Sequence, residues 1–204
     1  MLRGVVLGID RWLRRRLAIY EFTDDARCLF RIAWEKADRE VLISDGTRIA
    51  PGEPLVEVHL WNEHLPLLPN RGNDLAWAAR AARLTEHSLR LLAAHVQTDP
   101  ALRDIRAVHG RMALPAPNAG ESSFALARRL GFDVRPSDGG AAARFRKFWN
   151  NVHLWLLIWV FNPGRFRSRR HKVLKWSWFD LWMSRDALLA RHGSPVAPGA
   201  HRRG

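Results

Sequence analysis

The chain has 204 residues, enough for one ordinary domain with appendages and for a sizeable buried core. A formal charge of +13 and ten tryptophans set it apart from an average globular composition. A single cysteine, Cys28, excludes an internal disulfide; its setting in Cys28-Leu29-Phe30 is that of a small buried hydrophobe, not a reactive thiol. The charge is segregated. Residues 1–20 carry +4, residues 21–143 carry −2, and residues 144–185 hold ten basic side chains against the one acid Asp180. A near-neutral body thus lies between two basic, Trp-bearing flanks.

In chain order, Leu2, Val5, Val6, Ile9, Trp12, Leu13, Leu17 and Tyr20 recur at helical spacing, with Arg11, Arg14 and Arg15 elsewhere on the wheel. This predicts a basic amphipathic helix, packed on the domain or lying on a membrane. It is not a secretory signal, because its apolar core is short and its arginines follow that core. Residues 28–36 and 40–44 alternate as strands. Asp45-Gly46 is a tight-turn signal before a short strand over 47–49. Pro51-Gly52 turns the chain again, and Leu55–Trp61 is the next strand. A period-two strand places Glu57, His59 and Trp61 on one face and Val56, Val58 and Leu60 on the other.

Asp74 is placed to cap a long helix running to about Thr98, which Asp99-Pro100 ends. Residues 105–114 read as a strand, with His109-Gly110 as a place for a bulge. A helix over 121–130 is closed by Gly131, and residues 132–135 form a further strand. The charge shift coincides with the linker Ser137–Gly140, which marks a boundary. The sequence predicts an α+β core domain over 1–136, a basic, Trp-rich helical segment over 141–193, and a disordered tail over 194–204.

Glu57 and His59 are the candidate catalytic pair, since a carboxylate beside an imidazole orients it and raises its basicity. Trp61, Asn62, Glu63, His64 and Arg71 are candidate ligand-binding residues around them. The bland alternative is a half-buried His59 bonded to a neighbouring backbone. No metal site is expected here: the His59 to His64 spacing is not that of a helical zinc motif, and no third ligand is evident. Nothing resembles a nucleophile elbow, a phosphate loop or a dinucleotide fingerprint.

The apolar run Leu154–Phe161 is far shorter than the roughly 20 residues a spanning helix needs. Trp favours the bilayer interface and each basic side chain adds about 1 kcal/mol of attraction to an anionic surface. Arg11, Trp12, Arg14, Arg15, Trp155, Trp159, Arg165, Arg167, Arg169, Arg170, Lys172 and Trp176 are therefore the candidate membrane-surface residues. Packing of the same Trp side chains onto the body, and nucleic-acid binding by phosphate contact with base stacking, are the competing readings.

The order of elements, with A-L-A-R-R-L-G-F-D-V at Ala125–Val134, resembles the GNAT acetyltransferase fold. That likeness implies a mixed, mostly antiparallel sheet with flanking helices. The family's cofactor loop at the start of the long helix is replaced here by Asn70-Arg71-Gly72-Asn73-Asp74, and its general-acid Tyr falls at Ala127. No cofactor is expected, and acyl-CoA enters only if the chain is a diverged acyltransferase.

Asp45–Asn62, read D-G-T-R-I-A-P-G-E-P-L-V-E-V-H-L-W-N, with the later D-P-A-L-R-D-I-R-A-V-H-G and R-L-G-F, more closely resembles the YkoP-like domain, over roughly residues 3–162. Such domains are bacterial and in some chains accompany polysaccharide-deacetylase domains, which implies a cell-envelope setting. The expected function is that of a peripheral membrane accessory or ligand-binding protein in envelope lipid or polysaccharide metabolism. It would sit on the inner face of the cell membrane, with an anionic surface and a lipid-linked or sugar ligand as partners. Acyl transfer and nucleic-acid binding are the alternatives.

Overall fold

A computed structural model describes residues 18–61, 63–64, 66, 75–115, 121–137 and 176–193. The expected N-terminal helix lies outside the described residues save for its last positions. So do Asn62, Arg71 and the flank through residue 175, with Trp155, Trp159, Arg165, Arg167, Arg169, Arg170 and Lys172.

Seven strands and three helices are described: β1 (Phe30–Lys36), β2 (Val41–Leu42), β3 (Arg48–Ile49), β4 (Pro54–Leu60), α1 (Leu75–Thr98), β5 (Ala107–Pro115), α2 (Glu121–Arg129), β6 (Asp133–Pro136), β7 (Trp176–Ser184) and α3 (Arg185–His192). A short 3₁₀ turn, Pro100–Leu102, follows α1, and the Asp99 carboxylate caps it by accepting from the Ala101 amide. Five strands form one sheet in the order β1-β4-β5-β7-β6, while β2 and β3 make a separate hairpin. β4 and β5 are parallel and joined through α1, as a parallel pair requires; every other pairing is antiparallel. The fold is thus α+β, built on a mixed and mostly antiparallel sheet.

Residues 176–184, expected in a helical C-terminal segment, are a strand inserted between β5 and β6. The boundary at 137–140 does not separate two units, because β7 pairs with β5 along its whole length from Ala107↔Ser184 to Pro115↔Trp176. Aromatic and large side chains are rich on both faces of W-S-W-F-D-L-W-M-S, and a strand covered on both sides gives such a run no helical signature. Ser184 then caps α3 by accepting from the Ala187 amide. The expected bulge at His109-Gly110 is absent: the register continues through His109↔Trp182 and Gly110↔Leu181. A Cβ on Gly110 would lie 3.8 Å from the Val58 carbonyl and 3.9 Å from Leu181 Cβ, ordinary van der Waals distances, so close packing does not demand a glycine there.

The two faces of the sheet differ. On one, Phe30, Ile32, Val56, Val108 and Met183 pack against Leu89, Leu92, Ala93 and Val96 of α1 and Leu188 of α3, forming the main core with Cys28 and Leu29. On the other, the β2–β3 hairpin covers part of the sheet, with Val41, Ile43 and Ile49 on Leu55, Ala107 and Trp182. The hairpin is held from beneath. Asp45 accepts from its own turn at the Thr47 amide and from the Ser184 hydroxyl. Asp133 accepts from the Ser44 amide at 3.2 Å, and the Arg135 guanidinium donates to the Leu42 carbonyl. The rest of that face is charged.

Candidate functional site

Strand alternation puts Glu35 of β1, Glu57 and His59 of β4, His109 and Arg111 of β5 and Asp180 of β7 on the hairpin side of the sheet. Register makes them neighbours: Glu57 lies opposite His109, and Arg111 opposite Asp180. The centre is His109, whose side chain is only 5% exposed. Its Nδ1 is 2.7 Å from Glu35 Oε2, its Nε2 is 3.5 Å from Asp180 Oδ1, and its ring stacks on Trp182 with centroids 4.2 Å apart.

Asp180 is itself buried and accepts from the Ser137 hydroxyl at 2.9 Å and from Arg39 at 3.0 Å. Arg111 sits at the rim, donating to Glu35 at 3.2 Å, with Glu57 at 3.7 Å and Asp180 at 3.9 Å. Glu57, 16% exposed, is the less completely partnered acid. Its contacts among the described residues are His59 Nε2 at 3.1 Å, outside hydrogen-bond geometry, and the long Arg111 ion pair.

Burial and charge oppose each other throughout this face. Burial disfavours the ionised form of Glu57, but the His59 ring and the Arg111 and His109 charges outweigh it, so the carboxyl titrates below its ordinary value. Burial likewise disfavours the cationic His109, yet Asp180 and Glu35 on its two nitrogens prevail and raise its pKa. Asp180 follows Glu57: burial raises, and His109, Ser137 and Arg111 lower more. Three buried nitrogens on this face, His59 Nε2, His109 Nε2 and Trp182 Nε1, have no hydrogen-bond partner among the described residues.

The structure brings together the two residues read as an acid–base pair, with His59 and Glu57 at 3.1 Å. Trp61 is stacked between the Arg31 guanidinium, 4.5 Å from its ring, and the His64 imidazole at 3.8 Å. Glu63 pairs with Arg31 at 3.4 Å, and His64 Nδ1 lies 2.8 Å from the Cys28 carbonyl. Trp61, Glu63 and His64 thus fasten the end of β4 to the start of β1, beside the charged cluster and not within it. Trp176 pairs opposite Pro115 at the start of β7. Glu35, His109, Arg111 and Asp180 were not singled out from sequence. They come from three strands, Glu35 from β1, His109 and Arg111 from β5 and Asp180 from β7, and only the register of these strands with β4 gathers them beside Glu57 and His59. Arg111 and Asp180 carried a weak signal, as charges inside otherwise apolar strands.

Among the described residues no helix is long and apolar enough to cross a membrane. Neither the curated proteins nor the solved structures give a match to this chain. A family model, the YkoP domain, matches residues 2–192, so the match takes in β7 and α3 with the rest of the sheet. The chain belongs to the YkoP domain family.

Proposed function

We propose that this chain is a ligand-binding protein of the bacterial envelope, with the charged sheet face as its binding surface. The observation that carries the reading is the gathering of Glu35, Glu57, His59, His109, Arg111 and Asp180 beside the hairpin, with partly exposed Glu57 and His59 at its open side. Hydroxyl-rich or phosphorylated ligands, such as a sugar or a lipid-linked sugar phosphate, match a face presenting both carboxylates and cationic donors. Charge segregation supports a peripheral setting on the inner, anionic face of the membrane. Flotation with phosphatidylglycerol vesicles at low salt tests that setting. The full chain is expected to float and a chain lacking residues 144–175 to stay at the bottom. Equal flotation of both, or tighter binding to single-stranded nucleic acid than to vesicles, rejects it.

A second reading, a diverged GNAT-like acyltransferase with Glu57 or His59 as base, draws support from the order of elements and from the parallel β4–β5 pair joined through a long helix. The single-glycine loop before that helix speaks against it. Calorimetry with acyl-CoA decides: no heat and no thermal shift leave the fold resemblance alone.

A further inference from the structure

The least satisfied acid in the network lies beside the most buried imidazole. Glu35, Glu57 and His109 each offer one ligand atom, and these three atoms lie within 4.8 Å of one another. We infer that Glu35, Glu57 and His109 form a binding site for a divalent first-row transition cation, on adjacent strands of the charged face. This deepens the ligand-face reading and rests on it.

Two carboxylate oxygens and one imidazole nitrogen are a donor set suited to Zn²⁺ or Mn²⁺, and three protein ligands leave a coordination position for water or a ligand oxygen. Donor atoms each about 2.0–2.2 Å from one ion must stand within about 4.4 Å of each other, which small rotamer changes achieve from the present spacing. Two further features single out a cation site from an ordinary acidic patch. His109 is nine-tenths buried, with Nδ1 2.7 Å from Glu35 Oε2 and Nε2 on the ring's other edge. Asp180 stands 3.5 Å from that Nε2, placed to accept its proton and fix the ring with Nδ1 toward the ion. Asp180 is in turn held by Ser137 and Arg39.

Arg111 occupies the cation's position in charge terms, bridging Glu35 at 3.2 Å and Glu57 at 3.7 Å. Its side chain is 34% exposed, so it can swing outward when an ion enters. It competes with the metal and does not bind it.

The test uses the full chain, stripped with chelator and titrated with Zn²⁺ by calorimetry and with Mn²⁺ by electron paramagnetic resonance. One ion per chain is expected. Glu35→Gln, Glu57→Gln and His109→Gln are each expected to weaken binding more than about tenfold, as is Asp180→Asn acting through the ring. Arg111→Met is expected to tighten it, and His87→Gln, a distant imidazole, to leave it unchanged. Mn²⁺ should broaden the indole N–H resonance of Trp182, which stacks on His109, in wild type and not in Glu57→Gln. If His109→Gln does not fold, the two glutamate variants and the Trp182 resonance decide. Absence of saturable uptake of either ion, or uptake that survives both glutamate variants, overturns the site. A thermal shift with sugar phosphates that persists without ion uptake would sink the metal alone; loss of both would sink the ligand face as well.

Discussion

At the scale of single residues, the best-marked motif turns out to be a fastening. Asp45 in D-G-T accepts from Thr47 within its turn and from Ser184 at the cap of α3, and so ties the hairpin to the end of β7. Asp45→Ala is expected to cost about 1–3 kcal/mol, since it strips two hydrogen bonds and leaves Ser184 with one partner fewer; urea unfolding measures it. A second acid gives a pH signature away from the charged face. Asp25 is tied to Arg27 and to His87, at 2.8 Å from Nε2, and the Arg27 hydrogen bonds above all hold its carboxyl well below the ordinary carboxylate range. A depressed folded-state pKa gives stability that is present above the unfolded value, about 3.9, and is lost as pH falls. Wild type should lose stability more steeply than Asp25→Asn as pH drops from about 4.5 to 2.5. Parallel acid slopes in the two proteins would remove the assignment.

Elements whose own periodicity matches their burial were legible in the sequence. α1 shows Leu89, Leu92, Ala93 and Val96 on one stripe, and all four are in the main core. Leu92→Ala is expected to cost about 2–5 kcal/mol, because a fully buried leucine leaves a cavity between α1 and the sheet. The end of α2 was equally readable. Gly131 takes φ +101°, and the Phe132 amide reaches back to the Ala127 carbonyl in the glycine-closed helix end that R-L-G-F announces. Gly131→Ala should destabilise by about 1–2 kcal/mol, and its new Cβ would fall 2.7 Å from Arg191 Cδ, forcing that side chain aside. β7 was not legible: a centrally placed strand, apolar on both faces and preceded by arginines, has neither the period-two nor the helical pattern. The charged site shows the same limit. Glu57 and His59 are two apart and visible as a pair, whereas Glu35 meets His109 across 74 positions of chain. No local pattern encodes that contact.

For the whole molecule, the consequence is that the body does not end where the charge changes. β5 and β6 do not pair with each other; each pairs with β7, which also supplies Asp180 and Trp182 to the charged face and leads into α3 against α1. Remove residues 141–204 and the sheet loses its fourth strand. β6 then has no partner, and one edge of β5 opens along nine residues. The core loses Met183 and Leu188, both fully buried. A chain ending at residue 140 is therefore expected to lack cooperative thermal unfolding and to be cut rapidly by protease, although it keeps α1 and the β1–β4 pair in sequence. Deleting only 144–175, with a short Gly/Ser linker before Trp176, should by contrast keep a cooperative transition, because it spares every described strand. Circular dichroism melts of the two chains distinguish the cases. If the chain ending at 140 melts as sharply as the full protein, then β7 is an addition to a self-sufficient domain, and the charged face must be rebuilt without Asp180.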